Sequence, residues 1–580
     1  MASTTMSRRL FLALCLAIAS FAPVLGQEQR RFYTPPSPGT IASIPAESGM
    51  VVAQERLAAQ IGADILRQGG NAVDAAVATG FAMAVTYPRA GNIGGGGFML
   101  IHLAKNSEDI AIDYRETAPQ AMTRDVFLTD GKPDPDKSRN SALGIGVPGT
   151  VAGLALALEK YGSGKFTLAQ ILKPAIDLAR DGFVVTDDTA DTLSDMYRRM
   201  SRWPNSAKTF SHADGTPLHE GDRLIQGDLT ATLTAIAEQG PRGFYEGAVA
   251  EKLVKGIRAA GGIMSLDDLK AYQAVIRTPV RGTYRGYDIV SMPQPSSGGV
   301  VLLETLNILE GFPIGDLKQG SAASLHVMIE ALKRAFADRA RYLGDPAFVD
   351  APTQILTAKD YAAKQRDSID LARATPWIDV RNARQVREGS NTTHYSVVDS
   401  SGNAVSNTYT LNFPYGVGLV AEGTGVLLNN ELDDFTAAPG ASNAFGLVGF
   451  EANLPAPGKR PLSSMSPTIV LKDGKPVLVT GSPGGSRIIS VVTQIIVDVI
   501  DYKMDIAAAV AAPRVHHQWL PDEVKFERGI PDDVLAELKA KGHTLVEPLG
   551  YSSANSILVT PNGLLGAPDP RTRGSEAAGQ

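Results

Sequence analysis

The chain has 580 residues, enough for roughly four domains of ~150 residues or for fewer, larger ones with a sizeable core. Its 55 Lys and Arg residues against 61 Asp and Glu residues give a formal net charge of -6, which lacks the basic excess that nucleic-acid binding requires. With 44% hydrophobic and 20% charged residues, the composition excludes a disordered or fibrous protein and leaves an ordered enzyme as the default class.

The N-terminal segment has the pattern of a secretory signal. Within Met1–Gly26, Arg8 and Arg9 precede an apolar run, and Ser7–Leu12 also resembles a twin-arginine export motif, so both export routes stay open. The only cysteine, Cys15, lies in this segment, so the mature chain has no disulfide, thiolate nucleophile or cysteine-bound metal. No later apolar stretch reaches the ~18 residues of a membrane span. We therefore expect a soluble protein, periplasmic or secreted, without a membrane anchor.

Helical patterns dominate the first two thirds of the sequence. Apolar residues recur at helical spacing up to the Gly69-Gly70 pair, and the Ala-rich segment that follows is apolar on nearly all sides, which indicates a buried helix. The elements predicted here are helices at Ala53–Gly69 and Asp74–Val85, strands at Phe98–Leu103 and Ile110–Tyr114, and mainly helices from Thr150 to Leu371 around an extended piece at Pro279–Gly299.

The character of the sequence changes at Thr392. Two runs rich in β-branched and aromatic residues, Thr393–Val398 and Ala404–Leu411, flank turn residues at Asp399–Asn403, which predicts a β-hairpin. The elements predicted after this hairpin are strands at Thr468–Leu471, Val477–Thr480 and Ser556–Thr560, and helices at Ile488–Tyr502 and Pro531–Lys541.

Three common ligand motifs are not supported. Gly144–Gly149 matches a dinucleotide loop literally, but a second helical pattern follows where a strand ending in an acidic residue is needed. Gly164-Lys165-Phe166 lacks the Ser or Thr that follows the lysine of a phosphate-binding loop. Among eight histidines the one close pair is His516-His517, whose side chains point differently on any regular element, so no metal site is expected.

Several long segments in one order carry a resemblance to a known family. They are Gly70–Ala76, Asp113–Pro119, Asn391–Asp399, Pro461–Thr468, Gly481–Arg487 and Gly566–Arg571. Together they closely resemble the γ-glutamyltransferase (γ-glutamyl transpeptidase) family of bacterial type, and the resemblance runs from about Gly49 to Arg573.

The resemblance implies an α+β fold, a four-layer αββα sandwich of the N-terminal-nucleophile hydrolase type. It implies a precursor that cuts itself between Asn391 and Thr392, giving a large subunit of residues 27–391 and a small subunit of residues 392–580 that form a heterodimer. Cleavage would leave Thr392 with both a hydroxyl nucleophile and a free α-amine, whose usual pKa of ~7.7 to 8.0 suits a base. Thr393 is the rival nucleophile, but the family motif starts one residue earlier.

The resemblance also assigns the other site residues. Thr410 matches the threonine that hydrogen-bonds the nucleophile, and Gly484 and Gly485 match the pair whose backbone N–H groups face the oxyanion. The residues that match the substrate-binding positions are Arg115, Ser463 and Ser464 for the α-carboxylate, and Asn412, Glu431 and Asp434 for the α-ammonium. Pro439–Phe450 matches a lid loop, with Phe445 where many relatives have Tyr.

The implied activity needs no cofactor. The γ-glutamyl group of glutathione or another γ-glutamyl amide passes to the nucleophile, and then to water or to an amino acid or peptide acceptor. One alternative is a cephalosporin (glutaryl) acylase on the same fold, which would not need the ammonium site formed by Glu431 and Asp434. A second alternative, an inactive binding or structural protein, would fail to cut itself.

Overall fold

The computed structural model describes residues 41–376, 391–546 and 552–580. The strands are β1 Ile44–Ala46, β2 Met50–Ala53, β3 Gly96–Leu103, β4 Glu108–Tyr114, β5 Leu128–Thr129, β6 Lys132–Pro133, β7 Phe183–Val184, β8 Arg223–Leu224, β9 Val275–Arg277, β10 Val280–Tyr284, β11 Tyr287–Ser291, β12 Thr393–Val398, β13 Ala404–Thr410, β14 Thr468–Lys472, β15 Lys475–Thr480, β16 Val515–His516, β17 Val524–Phe526, β18 Leu545–Val546, β19 Asn555–Thr560, β20 Gly563–Pro568 and β21 Glu576–Gly579.

The α-helices are α1 Arg56–Arg67, α2 Ala72–Thr86, α3 Pro135–Arg139, α4 Thr150–Tyr161, α5 Leu168–Asp181, α6 Asp187–Met200, α7 Pro204–Phe210, α8 Gly227–Gln239, α9 Arg242–Tyr245, α10 Gly247–Ala259, α11 Leu266–Ala271, α12 Gly298–Glu310, α13 Ala322–Tyr342, α14 Thr353–Leu356, α15 Lys359–Asp367, α16 Arg487–Ile500, α17 Ile506–Ala511 and α18 Asp532–Ala540. Single 3₁₀ turns lie at Ala142–Gly144, Ile314–Asp316, Glu431–Asp434 and Glu451–Asn453.

Two seven-stranded sheets form the centre of the fold. Their strand orders are β1-β20-β19-β15-β14-β11-β10 and β21-β2-β12-β13-β3-β4-β9. The hairpin predicted after Thr392 is confirmed as the antiparallel pair β12–β13, with Thr393 opposite Tyr409 and Val398 opposite Ala404. This hairpin occupies the middle of the second sheet, because β2 pairs with its first strand and β3 pairs with its second.

Alternating side chains place apolar surface on both faces of the second sheet. In β2, Val51 belongs to the core beneath α1 and α2, whereas Met50 and Val52 belong to the core shared with the first sheet. Helices α12, α13 and α16 cover the far face of the first sheet with the apolar residues of that second core. The resulting order of layers is helix, sheet, sheet, helix, and the expected αββα sandwich is confirmed.

Helix α2 confirms the predicted buried, Ala-rich helix. All fifteen of its residues are buried, and Asn71 and Asp74 close its N-terminus with a reciprocal capping box. Helix α1 begins at Arg56, later than the predicted Ala53, because the Glu55 side chain accepts hydrogen bonds from the backbone N–H groups of Leu57 and Ala58. Residue 53 instead ends strand β2.

The strands at the edges were not anticipated from the sequence. β21 pairs with β2, and β20 pairs with β1, so each ladder joins segments that lie about 500 residues apart in the chain. The Gly144–Gly149 loop does not follow a strand. Its backbone instead serves packing, since Val147 donates to the Thr117 carbonyl and Gly146 donates to the Asn429 side chain.

The predicted signal at Met1–Gly26 lies outside the described residues. Within the ranges that the structure does describe, no helix is both long and apolar enough to cross a membrane.

Candidate active site

The strand ends of both sheets converge on one small cleft. Thr392 directly precedes β12, Thr410 ends β13 and Arg115 directly follows β4. The sequence-predicted residues that line this cleft are Arg115, Thr392, Thr410, Asn412, Glu431, Asp434, Ser463, Ser464 and Gly485. Nine of the ten predicted site residues therefore meet at one place, although they come from four distant parts of the sequence.

Thr392 is held by its own backbone and by the neighbouring strand. Its hydroxyl hydrogen-bonds the carbonyl oxygen of Asn391 and lies 3.3 Å from the Thr410 hydroxyl oxygen. The same Thr410 oxygen accepts the backbone N–H of Asn412 at 2.8 Å. Since the 391–392 peptide bond is intact in the described chain, the nitrogen of Thr392 is an amide, and this is the arrangement before any cleavage. The rival Thr393 has a buried hydroxyl with no hydrogen-bond partner among the residues that the structure describes.

Asn391 anchors the segment that precedes the candidate nucleophile. Its side-chain amide donates to the carbonyl of Arg89 at 2.7 Å, and that carbonyl also accepts the backbone N–H of Tyr415 at 2.9 Å. The residue whose carbonyl accepts the Thr392 hydroxyl is therefore anchored through its own side chain. Such restraint keeps a hydroxyl and a carbonyl in reach of one another without further ordering.

Arg115 sits between the two acidic residues of the cleft. One guanidinium nitrogen contacts the Glu431 carboxylate, the other donates to Asp434 at 2.5 Å, and Nε donates to the Pro461 carbonyl at 3.2 Å. The family resemblance assigned Arg115 to the α-carboxylate of a substrate, and the two acids to its α-ammonium. In the structure they form one ion-pair cluster, so the arginine fork is shared with protein carboxylates rather than standing free.

Burial sets the electrostatics of this cluster. It raises the pKa of Glu431 and of Asp434, and the positive charge of Arg115 opposes both shifts. Glu116, whose carboxylate lies 4.0 Å from Arg115, is also buried, and burial raises its pKa well above the usual value. Glu431 Oε2 has no hydrogen-bond partner among the described residues, which is costly for a buried carboxylate. Glu431 Oε2 can therefore accept a hydrogen bond from a cationic group that enters the cleft.

The two serines of the cleft are linked to a second arginine. Arg339 donates from Nε to Ser297 at 2.9 Å and from Nη2 to Ser464 at 3.3 Å. Ser297 in turn donates to the Ser463 carbonyl at 2.6 Å. Burial lowers the pKa of Arg339 to about 10, with nearby Asp434 opposing the shift, so the side chain stays charged at neutral pH.

The glycine pair lies under the predicted lid. Gly484 and Gly485 have φ angles of 130° and 59°, backbone conformations that favour glycine. A Cβ on Gly485 would lie 2.4 Å from the Phe445 ring, and one on Gly484 would lie 1.9 Å from the Ser552 hydroxyl. Gly485 lines the cleft and Gly484 does not. Their proposed role as oxyanion donors remains a prediction.

The lid loop is joined to the acidic cluster by a side chain that the sequence reasoning did not single out. Asn443 donates to Asp434 at 3.0 Å, and its own oxygen accepts the backbone N–H groups of Phe445 and Leu447. Phe445 packs edge-on against Phe413, with ring centroids 6.2 Å apart. Although Phe445 has no hydroxyl, the loop is therefore tied to a residue of the cleft.

Comparison with known proteins defines the family. Residues 58–579 match the family model described as gamma-glutamyltranspeptidase. The chain belongs to the gamma-glutamyltranspeptidase family. Over 537 residues it is 52% identical to the glutathione hydrolase proenzyme of Escherichia coli (strain K12), with 92% of each chain covered.

Acylases are also relatives of this gamma-glutamyltranspeptidase family member. The chain is 40% identical over 526 residues to the acylase ACY 1 proenzyme of Pseudomonas sp. (strain V22), covering 89% of this chain and 91% of that protein. The crystal structure of cephalosporin acylase from Bacillus halodurans superposes with a TM-score of 0.82 at 28% identity, covering 95% and 98% of the two chains. The fold is therefore shared by both groups, and the residues of the cleft must distinguish them.

Sequence reasoning missed three polar residues at or beside this candidate site. Arg339 and Asn443 contact predicted site residues, and Glu116 lies beside Arg115. The sequence could have indicated Glu116, since it directly follows the matched motif residue Arg115. The sequence could not have indicated Arg339, because α13 carries several buried charged residues and only the tertiary structure shows which of them contacts Ser464.

Proposed function

We propose that this protein is a self-processing γ-glutamyltransferase and glutathione hydrolase. The observation that carries the proposal is the single cleft in which a candidate nucleophile, Thr392, lies together with Arg115, two acids and two serines. Membership of the gamma-glutamyltranspeptidase family and the glutathione hydrolase proenzymes among its relatives support this activity. The proposed protein is exported to the periplasm or secreted, as its N-terminal sequence predicts.

In the proposed processing step, the Thr392 hydroxyl attacks the Asn391 carbonyl carbon. The carbon–nitrogen bond between the two residues breaks, the chain becomes an ester, and the nitrogen of Thr392 takes a proton to become an amine. Water then hydrolyses the ester, which frees the carboxyl group of Asn391 and the hydroxyl of Thr392. The two products are the subunits 27–391 and 392–580, which stay together as a heterodimer.

In the proposed turnover, the new α-amine of Thr392 accepts the proton of its own hydroxyl as the oxygen attacks the γ-carbonyl of the substrate. The amine then protonates the leaving amino group, and a γ-glutamyl ester remains on Thr392. Water or the amino group of an acceptor amino acid or peptide attacks this ester, which regenerates the hydroxyl. Thr410 holds the nucleophile, and Gly484 and Gly485 supply backbone donors to the oxyanion.

The cleft offers separate groups to the two charges of a γ-glutamyl substrate, acidic residues to its ammonium and an arginine with two serines to its carboxylate. A γ-glutamyl group carries an ammonium and a carboxylate on one carbon. The ammonium supplies the donor that Glu431 Oε2 lacks, with Asp434 and Asn412 nearby. The carboxylate meets Arg115 and the hydroxyls of Ser463 and Ser464. Neither hydroxyl donates to an acceptor among the described residues, so both O–H groups remain available.

Replacing Arg115 with Lys should weaken substrate use without blocking self-cleavage. A lysine keeps the charge but has a single ammonium group, so it cannot bridge Glu431, Asp434 and a substrate carboxylate as the fork does. Loss of one charged hydrogen bond of ~1.5–3 kcal/mol corresponds to a fall of ~10–150-fold in kcat/KM for γ-glutamyl-p-nitroanilide, measured on the cleaved enzyme. Arg139→Lys is the control, because Arg139 pairs with Asp433 outside the cleft. A wild-type kcat/KM for Arg115→Lys would refute the assignment.

The relatives named as acylases favour one second candidate, a glutaryl amide hydrolase with the same nucleophile. A glutaryl group lacks the ammonium, so it would leave Glu431 Oε2 unpaired. The expected penalty of ~1–3 kcal/mol, or ~5–150-fold, predicts a clear preference for the γ-glutamyl compound.

Parallel kcat/KM measurements on γ-glutamyl- and glutaryl-p-nitroanilide distinguish the two candidates. The wild type should prefer the γ-glutamyl compound, and Asp434→Asn should reduce that preference by weakening γ-glutamyl turnover. Asp433→Asn is the matched control from the same turn, since its carboxylate faces Arg139 rather than the cleft. Equal values, or a glutaryl preference, in the wild type would favour the acylase.

A further inference from the structure

Two histidines and an aspartate converge on the surface, in the loop between α7 and β8. All eight histidines lie in the described residues, and six are buried, whereas His212 and His219 are accessible. Asp222 Oδ2 lies 2.9 Å from His212 Nε2 and 3.9 Å from His219 Nδ1, and the two ring nitrogens are 3.3 Å apart. Three potential metal-binding atoms thus point to a common centre.

The three separations fit a tetrahedral metal ion. A zinc ion with nitrogen and oxygen ligands at ~2.0–2.1 Å has neighbouring ligand atoms ~3.3–3.4 Å apart. The observed distances of 2.9, 3.3 and 3.9 Å scatter about that value. Adjustments of about half an ångström would complete the coordination triangle, and the accessible side of the cluster leaves room for water as a fourth ligand.

Backbone hydrogen bonds hold the loop in this conformation. Asp222 and Gly221 exchange hydrogen bonds with Val185, at 2.8 and 2.9 Å, and β8 begins at the next residue and pairs with β7. His212 donates from its backbone to Thr216 at 2.8 Å, and the backbone N–H of His219 donates to Asp222 Oδ2 at 2.6 Å. The ligands are therefore largely ordered before an ion arrives, which lowers the entropic cost of binding.

A second histidine cluster lacks the right electrostatics. His326, His543 and Glu330 also approach one another, but both oxygens of Glu330 are engaged, with Arg334 at 2.7 Å and the backbone N–H of Thr375 at 3.1 Å. A cation there would compete with a buried guanidinium. By contrast, the ion-pair partners of Asp222 within the described part of the chain are the two histidines, and neither is a permanent cation.

We propose that His212 Nε2, His219 Nδ1 and Asp222 Oδ2 form a surface site for a divalent ion of the zinc class. The ion binds the lone pairs of His212 Nε2 and His219 Nδ1, so a proton carried by either atom must move to the other ring nitrogen or to solvent. Two imidazoles and one carboxylate are a donor set that zinc favours. None of the three residues lines the active cleft, so the site stands independently of the proposed transferase activity. Its effect is to fasten the α7–β8 loop.

Calorimetric titration of untagged, chelator-treated full-length protein with Zn²⁺ tests the site. Wild-type protein should bind about one ion per chain, and Co²⁺ in its place should give the absorption spectrum of a tetrahedral centre. His212→Gln and His219→Gln should each weaken binding by at least ~10-fold, since even loss of an outer contact to a metal ligand typically costs that much. Asp222→Asn should also weaken binding.

Asp214→Asn is the matched control, because Asp214 is an exposed acid of the same loop that accepts hydrogen bonds from Thr216 and is not a proposed ligand. It should bind Zn²⁺ as the wild type does, and thermal melts of all variants should show that they fold. The proposal is wrong if the wild type binds no ion, or if the two histidine variants bind as tightly as Asp214→Asn.

Discussion

Thr392→Ala should give a folded chain that stays in one piece and has lost at least ~10⁴-fold in kcat/KM toward γ-glutamyl amides. The variant removes the attacking oxygen, and the hydroxyl of Thr410, 3.3 Å away, carries no α-amine that could serve as its base. A denaturing gel reports cleavage, N-terminal sequencing of the smaller wild-type band reports the cut, and initial rates report turnover.

Two variants make this result specific. Thr392→Ser keeps the hydroxyl and the future amine, so it should cleave and turn over more slowly. Thr393→Val removes a buried hydroxyl that has no hydrogen-bond partner in the described part of the chain, so it should fold, cleave and turn over nearly as the wild type does. Splitting of Thr392→Ala between residues 391 and 392, or an uncut Thr393→Val, would make the assignment of the nucleophile wrong.

Gly485→Ala should lower kcat by ~10²–10³-fold, the usual cost of losing an oxyanion donor. The new methyl group would lie 2.4 Å from the Phe445 ring, and its residue would be strained at a φ of 59°. Either the ring or the backbone N–H must move, and both lie at the cleft. The measurement is kcat on the cleaved fraction, because uncut chain would otherwise dilute the rate.

The backbone strain that Gly485→Ala introduces needs a control of its own. Gly320 has a similar φ of 69° and no atom within 4 Å of an added Cβ, so Gly320→Ala carries the backbone strain without the contact. Its kcat should remain at the wild-type level, with a small loss of thermal stability. If Gly485→Ala matched it in kcat, Gly485 would have no part in stabilising the oxyanion.

Local sequence patterns predicted the secondary-structure elements that carry the candidate nucleophile, but they could not predict which residues surround it in space. The β12–β13 hairpin and helix α2 follow from side-chain periodicity, capping and turn residues within a few positions. The contacts of Arg115 with Glu431 and Asp434 join residues more than 300 positions apart, and their direct pairing depends on the tertiary fold rather than on any local pattern. Motif resemblance identified these residues without showing that they share one ion-pair cluster.

Arg339 and the proposed metal site at His212, His219 and Asp222 show a second limit of prediction from sequence. Arg339 is one of several charged residues buried in α13, and nothing in its neighbours distinguishes it from Arg334, which instead pairs with Glu330. His212 and His219 are seven positions apart in a loop, a spacing that belongs to no regular element. The pairing of β7 with β8 and the backbone hydrogen bonds of the loop together bring Asp222 to them.

The strand order of the two sheets has a consequence for how the halves of the chain depend on each other. Five ladders, β21–β2, β2–β12, β13–β3, β1–β20 and β14–β11, join residues that precede position 391 to residues that follow it. A cut at that position would break one covalent bond and none of these ladders. Neither product could then leave without exposing the interior of both sheets, so the severed protein would melt as one body and could not exchange a subunit while folded.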